Sequence, residues 1–443
     1  MPALPYLREG SVIMIKKDNS WVSPRHLLIT VYAGILFLAC ACVNTGMTNT
    51  ILPRICELRG WEYADALPFM SYGGYIGAAA TLLFAQLVVK RGAKFVIILG
   101  LALGGLCLAL YGHTTVYAVF VLCIIGNRIF SCAYQQAGCT ALLNNWFPRK
   151  KGVVLGWATM GIILSDVIWS PYIPRAIAAV GAPLTMTIVG AVFLLLALFA
   201  VFSVKNIPEE IGCYPDNDPT GLDDLAANQA AMRAYRTSFT WGRLLRTPQV
   251  WQIGITWGLL WMIAVAFVSQ LVRRCVSIGY APDFAVHVLQ IASVIGLFGS
   301  WLFGWLDTRL GTKKATAIYA AAIAVFFISG IFQSVSPAFI WISACGIMAC
   351  VGGIANLAPS MVGTVFGRWD FAAANRVVSP IIMAVSSSAF LLASLFLKSQ
   401  WGYDGMYAAC AVIAVACLIS VLFTRDRMIG ASGQEVMASC KND

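Results

Sequence analysis

Long apolar blocks alternate with short polar ones along almost the whole chain. Twelve apolar blocks fall near residues 27–51, 66–88, 95–112, 116–142, 153–174, 184–204, 250–271, 284–306, 315–333, 338–363, 377–397 and 403–424. A helix needs about 20 mostly apolar residues to cross a bilayer. The pattern therefore predicts twelve spanning helices and an all-α membrane protein. The longest polar stretch, 205–249, falls between the sixth and seventh blocks and divides the helices six and six. The expected organisation is an arm over 1–26, a six-helix bundle over 27–204, a linker over 205–249, a second bundle over 250–424 and a tail over 425–443. A cleaved leader would precede a soluble chain. Here eleven more apolar runs follow the first, so the first reads as a retained span.

The basic residues give the orientation. If the N-terminus is cytoplasmic, the arm, the even-numbered loops and the tail carry 23 of the 30 Lys and Arg. The odd-numbered loops carry 6, namely Arg54, Arg59, Arg175, Arg273, Arg274 and Lys398, and Arg128 remains inside a span. This bias obeys the positive-inside rule and predicts both termini in the cytoplasm. The formal net charge of +11 is then a topology signal facing anionic lipid, and no nucleic-acid partner is expected.

Composition agrees. Apolar residues make up 60% and charged residues 11%, with a mean hydropathy of +0.80. So apolar a chain cannot cover a water-facing surface, and lipid is its expected partner. The 14 cysteines sit mostly inside apolar runs without paired C-x-x-C spacing. They read as small buried hydrophobes, with no metal site.

The halves repeat. Loop 2–3 reads Lys90-Arg91-Gly92-Ala93-Lys94 and loop 8–9 reads Arg309-Leu310-Gly311-Thr312-Lys313, 219 residues on. Phe147-Pro148-Arg149 and Phe366-Gly367-Arg368 match at the same offset. Two matches at one offset point to duplication of a six-helix unit. An even number of spans per unit gives the repeats one orientation, as in the two halves of a major facilitator transporter.

On these residues the chain resembles the major facilitator superfamily. The stretch GWLDTRLGTKKA (304–315) looks like its signature loop, and AQLVVKRGAK (85–94) like a degenerate first copy without the acidic residue. Asp307 sits one place earlier than the common pattern. NWFPRKKG (145–152), NIPEEIGCYPD (206–216) and LLRTPQVW (244–251) are similar to the oxalate/formate antiporter and monocarboxylate porter branch. The resemblance implies two pseudo-symmetric bundles around a central cavity lined by spans one, four, seven and ten. It makes Lys90, Gly92, Arg149, Asp307, Arg309, Gly311 and Arg368 the gating-loop candidates. Oxalate transporters of this branch hold a dicarboxylate with two basic residues in spans eight and eleven. Ser300 and Met383 occupy those places here, which argues against dianions.

A charge in hydrocarbon costs at least about 2.5–3.5 kcal/mol, so those kept there have a task. Two charged residues are expected deep inside, Arg128 in span four and Asp166 in span five. Arg128 suits a carboxylate contact, because guanidinium offers two parallel hydrogen bonds. The plainer reading is an ion pair with Asp166 that fixes spans four and five. Asp166 can also exchange a proton, since burial raises and a neighbouring Arg lowers a carboxylate's pKa. Asn44, Tyr134, Gln135, Trp257, Trp261 and Asn356 are further solute-lining candidates. Trp257 and Trp261, four apart, suggest an aromatic wall. Gly73, Gly74 and Gly77 suit close helix packing, Pro171 and Pro174 a kink in span five, and the three histidines solvated helix ends.

No G-x-x-x-x-G-K-[ST], H-E-x-x-H or G-x-S-x-G motif is present, so ATP use and hydrolysis are not indicated and no cofactor is expected. Span five also lacks the Gly-Pro signature of many drug exporters. The expectation is a monomeric plasma-membrane (inner-membrane) carrier, not an enzyme. It moves a small organic anion, a monocarboxylate, by alternating access, either facilitatively or as a secondary active symporter or antiporter with protons as the potential co-substrate. The alternatives are a carrier of a larger aromatic or polycyclic solute, an efflux pump, or a transporter-shaped sensor.

Overall fold

The computed structural model describes residues 23–147, 151–217, 239–424 and 429, with the side chain of Asp166 among those left undescribed inside helices. Among the described residues, eleven helices are long and apolar enough to span a bilayer: Pro24–Asn44, Tyr63–Val88, Ala93–His113, Tyr117–Trp146, Ala182–Ser203, Pro248–Ser277, Pro282–Leu310, Thr312–Ser334, Pro337–Ile354, Ala373–Leu397 and Gly402–Phe423. The twelfth is Lys151–Val180, bent by 42° between Val154–Trp169 and Tyr172–Val180 beside Pro171. These are spans one to twelve in chain order, with the bent helix as span five. Spans ten and eleven join through Gly367, whose φ of +71° breaks an otherwise continuous helical run.

Duplication is visible in the backbone. Gly92 and Gly311 share one conformation, with φ/ψ of +87°/161° and +82°/154°, between the helix that ends before each and the helix that starts after it. Only glycine tolerates that region without strain. The bend in span five also has a counterpart. Span eleven is interrupted at Ser388, between Ser387 and Ala389, and Trp169 lies 219 residues before Ser388.

The halves meet at the end that carries the odd-numbered loops. Asn49 Nδ2 donates to the carbonyl of Val268 at 2.6 Å, and the two positions are 219 residues apart. Repeat-equivalent residues can touch only on the pseudo-twofold axis, so that axis passes between spans one and seven there. Two more contacts form a related pair. Ser394 Oγ donates to Ala64 O at 2.7 Å, and Arg175 lies 3.8 Å from Asp283. Arg175 and Asp283 are the repeat equivalents of Ser394 and Ala64. Tyr63 hydroxyl pairs with the Gln270 amide, Arg273 lies 4.1 Å over the Tyr63 ring, and Lys398 pairs with Asp65. Among the described residues, the hydrogen bonds and ion pairs that join the halves lie at this end or near mid-span. One of them is the bond that Gln290 Nε2 donates to Val167 O at 3.0 Å.

The described linker divides between the bundles. Its first part is held by the first half: Trp146 Nε1 donates to Lys205 O, Asn145 to Asn206 O, and Asn206 Oδ1 accepts from the Lys94 amide. His26, expected to be solvated, is fully buried instead. It bonds Ser23 Oγ at 2.7 Å and Tyr214 O at 2.9 Å, with Trp146 and Phe147 edge-on to its ring. Both ring nitrogens are satisfied by neutral groups, which is what makes its burial tolerable. The last part of the linker joins the second half, where Phe239 packs on Phe366 and Arg376 lies over Trp241.

Arg274 also departs from expectation. Span seven runs to Ser277, one to two turns past the predicted end, so Arg274 sits in its last turns and is 5% exposed. It pairs with Asp404, hydrogen-bonds Gln333 and lies against the Tyr403 and Tyr407 rings. Such partners let a guanidinium sit inside a bundle, so the helix did not have to end before it.

Candidate functional site

Arg128 lies mid-way along span four, half-buried, at the boundary between the halves. Three elements hold its guanidinium. Its Nη1 donates to Asn44 Oδ1 of span one, and its Nε to the Met70 carbonyl of span two at 3.3 Å. From the opposite half, the Phe390 ring of span eleven lies 5.6 Å away. Asn44 Nδ2 donates to Cys40 Sγ at 3.2 Å, and the Cys40 thiol reaches Gln135 Oε1 at 3.8 Å. The described groups on Arg128 are thus dipoles and a π face.

The local sequence makes room for this cluster. A Cβ on Gly73 would stand 2.8 Å from Arg128 Cβ, one on Gly74 3.1 Å from Arg128 Nη2, and one on Gly77 2.9 Å from Cys132 Sγ. The glycines of span two therefore serve the passage of residues 128–132, beyond helix packing in general. Spans one and four also change winding at the site. Cys42–Ile51 and Cys132–Cys139 are π-helical, and they carry Asn44, Asn49, Tyr134 and Gln135. Wider turns of this kind are uncommon and recur at functional sites.

The remaining candidates separate. Tyr134 is 1% exposed and stands edge-on to Phe193 of span six, so it is packed and not open to a solute. Trp257 is also 1% exposed, against Tyr319 of span nine at 5.7 Å, whereas Trp261 is only half-buried. Residues four apart differ by about 40° around a helix, enough to put one indole in the core and the other at its edge. The expected tryptophan wall is therefore not formed. Asn356 donates to Ser300 Oγ at 3.0 Å and to Ser300 O at 3.2 Å, joining spans ten and eight away from Arg128.

Among the loop residues, Asp307 Oδ2 accepts from Ser360 Oγ at 2.7 Å, and Thr312 bonds Ser360 and Thr364. Arg309 is exposed over the Trp305 ring, and Lys90 is exposed. Gly92 is crowded by Asn206, whose side-chain atoms lie 2.6–2.8 Å from where a Cβ would be. Arg149 lies outside the described residues, as do the side chains of Arg368 and Asp166; the Arg128–Asp166 pairing therefore falls outside them too.

Sequence reasoning missed Phe390, the Met70 carbonyl and the π-helical segments. The three consecutive serines 386–388 before Phe390 were the available signal for a break in span eleven. A backbone carbonyl carries no sequence signal.

Residues 36–391 match the family model described as Major Facilitator Superfamily. The chain belongs to that superfamily. It is thus a transporter and an integral membrane protein, not an enzyme, and members of the superfamily carry small solutes. It is 25% identical over 307 residues to monocarboxylate transporter 12-B of Danio rerio, covering 65% of this chain and 64% of that one. It is 25% identical over 265 residues to the oxalate:formate antiporter of Oxalobacter formigenes, covering 57% and 55%. The matched stretches thus span a little over half the length of the curated relatives. Among solved structures, a bacterial homologue of the human lysosomal transporter Spinster, inward-facing and occupied, superposes with a TM-score of 0.67. That match has 13% identity and covers 92% of this chain and all of that one. At that identity the likeness speaks for the fold alone.

Proposed function

We propose that this facilitator moves a small organic monoanion, most simply a monocarboxylate, by alternating access, with Arg128 as the anion contact. The observation that carries the reading is the guanidinium itself. It is half-buried at the seam of the halves, and its described partners are Asn44, a backbone carbonyl and an aromatic ring. Two unit charges about 4 Å apart attract by roughly 4 kcal/mol at an effective dielectric of about 20. None of those neutral partners matches this attraction, so a carboxylate can displace one of them. Ser300 and Met383, where oxalate transporters of the branch carry basic residues, favour one anionic group over two.

Closure at the odd-loop end, together with positive-inside topology, supports an inward-facing state with both termini in the cytoplasm of a cell whose plasma membrane holds the carrier. Proton coupling through Asp166 belongs to the same reading, with one polypeptide as the working unit. The larger aromatic solute is less favoured, because Trp257 is packed into the core.

Uptake of radiolabelled formate, lactate, pyruvate and benzoate into proteoliposomes tests the proposal. Saturable uptake of at least one is expected, falling at least about a hundredfold in Arg128→Ala and unchanged in Arg175→Ala. Undiminished uptake in Arg128→Ala would refute the anion contact. Uptake that follows an imposed pH gradient, and ceases to do so in Asp166→Asn, is the expected sign of coupling; indifference to the gradient removes that role.

A further inference from the structure

The break in span eleven faces Arg128, and the two are joined to span two by one set of contacts. At the start of the Ala389–Leu397 segment the Leu391 amide has no carbonyl of its own segment to bond, as in the first turn of any helix. It donates at 2.8 Å to Ser71 Oγ, a fully buried hydroxyl of the opposite half. One turn earlier, Ser388 Oγ pairs with the Tyr75 hydroxyl at 2.7 Å, and Ser387 stands so close to Gly74 that a Cβ there would lie 2.4 Å from its hydroxyl. Between these seam contacts Phe390, 1% exposed, presents its ring to the Arg128 guanidinium. Arg128 in turn holds the Met70 carbonyl next to Ser71.

We infer that Phe390 is a positioning residue that makes opening of the odd-loop end depend on an anion at Arg128. The inference rests on the proposed anion contact. With the site empty, the cation–π contact keeps the broken segment of span eleven on span two, and the Ser71–Leu391 bond is made. A carboxylate at Arg128 neutralises the guanidinium and draws it toward the solute. The ring then loses the charge that held it, and the seam is released. Residue 390 thereby converts occupancy of one half into freedom of the other.

Hydrogen–deuterium exchange of the full-length protein in detergent reads the seam directly, through peptides covering 63–75 and 386–398. Phe390→Leu keeps an apolar side chain and removes the π face. It is expected to speed exchange at the Leu391 amide and across 63–75 by about tenfold, the worth of a partly desolvated cation–π contact. Phe390→Tyr and Phe390→Trp keep the π face and are expected to exchange like the unchanged protein. Arg128→Ala should match Phe390→Leu, and the double variant should add nothing further. Sodium formate, lactate, pyruvate and benzoate, each compared with sodium chloride, supply the anion; at least one should open the seam in the unchanged protein and none in Phe390→Leu. Equal exchange in the Leu and aromatic variants, or additive effects of the two single changes, overturns the inference whatever the anions do. If the variants behave as expected but no anion moves the seam, the dependence of opening on an anion is overturned, and the uptake assay with Arg128→Ala shows separately whether Arg128 contacts the anion. Should Arg128→Ala not fold, the Leu and aromatic comparison decides alone.

Discussion

Gly74→Ala tests whether the contact between spans two and eleven belongs to one conformation of the carrier or to its fold. The added Cβ would stand 2.4 Å from Ser387 Oγ and 2.7 Å from Ser387 Cβ. Ordinary contact begins near 3.4 Å, so the two spans must part by up to about 1 Å. Overpacking of this kind costs about 1–3 kcal/mol. Because Ser387 lies on the other half, most of that cost falls on the state in which the odd-loop end is closed, the 3.1 Å approach to Arg128 Nη2 being the milder contact within the first half. The closed state should lose about fivefold to a hundredfold in population relative to states in which the halves separate there, at 1.4 kcal/mol per tenfold. Gly352→Ala is the control. Its Cβ would meet Gly296 O at 2.0 Å and Ser300 N at 2.7 Å, backbone atoms of the same half, so every state bears the strain. Thermal melting in detergent should fall clearly for Gly352→Ala and little for Gly74→Ala. Amide exchange at 63–75 and 386–398 should rise in Gly74→Ala, and Ser387→Gly added to it should restore protection. A Gly74→Ala protein with unaltered exchange at the seam, or one that Ser387→Gly leaves unrescued, refutes the reasoning.

Two further changes separate buried from exposed interactions. Asp404→Ala strips the nearly buried Arg274 of its counter-charge and should cost about 1–2 kcal/mol. That is less than the roughly 3–5 kcal/mol of a fully buried pair, because the Asp404 side chain is 54% exposed. Arg274→Met should cost less, since it leaves only a carboxylate that water can reach; melting temperatures in the opposite order would refute the assignment of Arg274 as the buried partner. Gly92→Ala puts a side chain at φ +87° and against Asn206. A loss of about 2 kcal/mol is expected from backbone strain alone. Asn206→Ala should recover only part of it in melting experiments, and full recovery would mean that crowding, not conformation, fixes the glycine.

What could be read from the sequence was whatever lipid enforces. Hydrocarbon demands long apolar helices, and these leave a one-dimensional trace. The offset between Gly92 and Gly311 was legible for a similar reason, because a backbone conformation closed to other residues writes itself as glycine. Arg128 announced itself by the cost of its charge. Arg274 did not, since a residue near a predicted span end is indistinguishable from a loop residue until Asp404, Gln333 and two tyrosines are seen to converge on it. His26 was hidden in the same way, its acceptor Tyr214 O lying 188 positions away. Trp257 misled because spacing gives the face of a helix but not which neighbour covers it. The π-helical winding of Cys42–Ile51 and Cys132–Cys139 had no residue signature at all.

The duplication also shows where the two halves have stopped being equivalent. Across the 219-residue offset the backbone devices persist: the loop glycines, the breaks in spans five and eleven and the axis contact of Asn49 with Val268. The polar cluster does not persist. The positions that correspond to Arg128, Asn44 and Met70 are Ile347, Ile263 and Leu289, each fully buried and apolar. A twofold scaffold thus carries a one-sided charge, and the second half meets it with the Phe390 ring instead of a second cation. Were both halves to carry a guanidinium, a dianion could neutralise both and a monoanion would leave one charge unpaired in a low dielectric. With one guanidinium the balance reverses, because the second charge of a dianion would be the one left without a counter-ion, at a cost of several kcal/mol. On the proposed anion reading, charge selectivity follows from the asymmetry between repeats. Isoleucine-to-arginine substitution at 347 is the direct check: if Arg128 sets the valence, Ile347→Arg should shift proteoliposome uptake from monocarboxylates toward dicarboxylates, whereas an unchanged preference in a protein that still folds would place selectivity elsewhere.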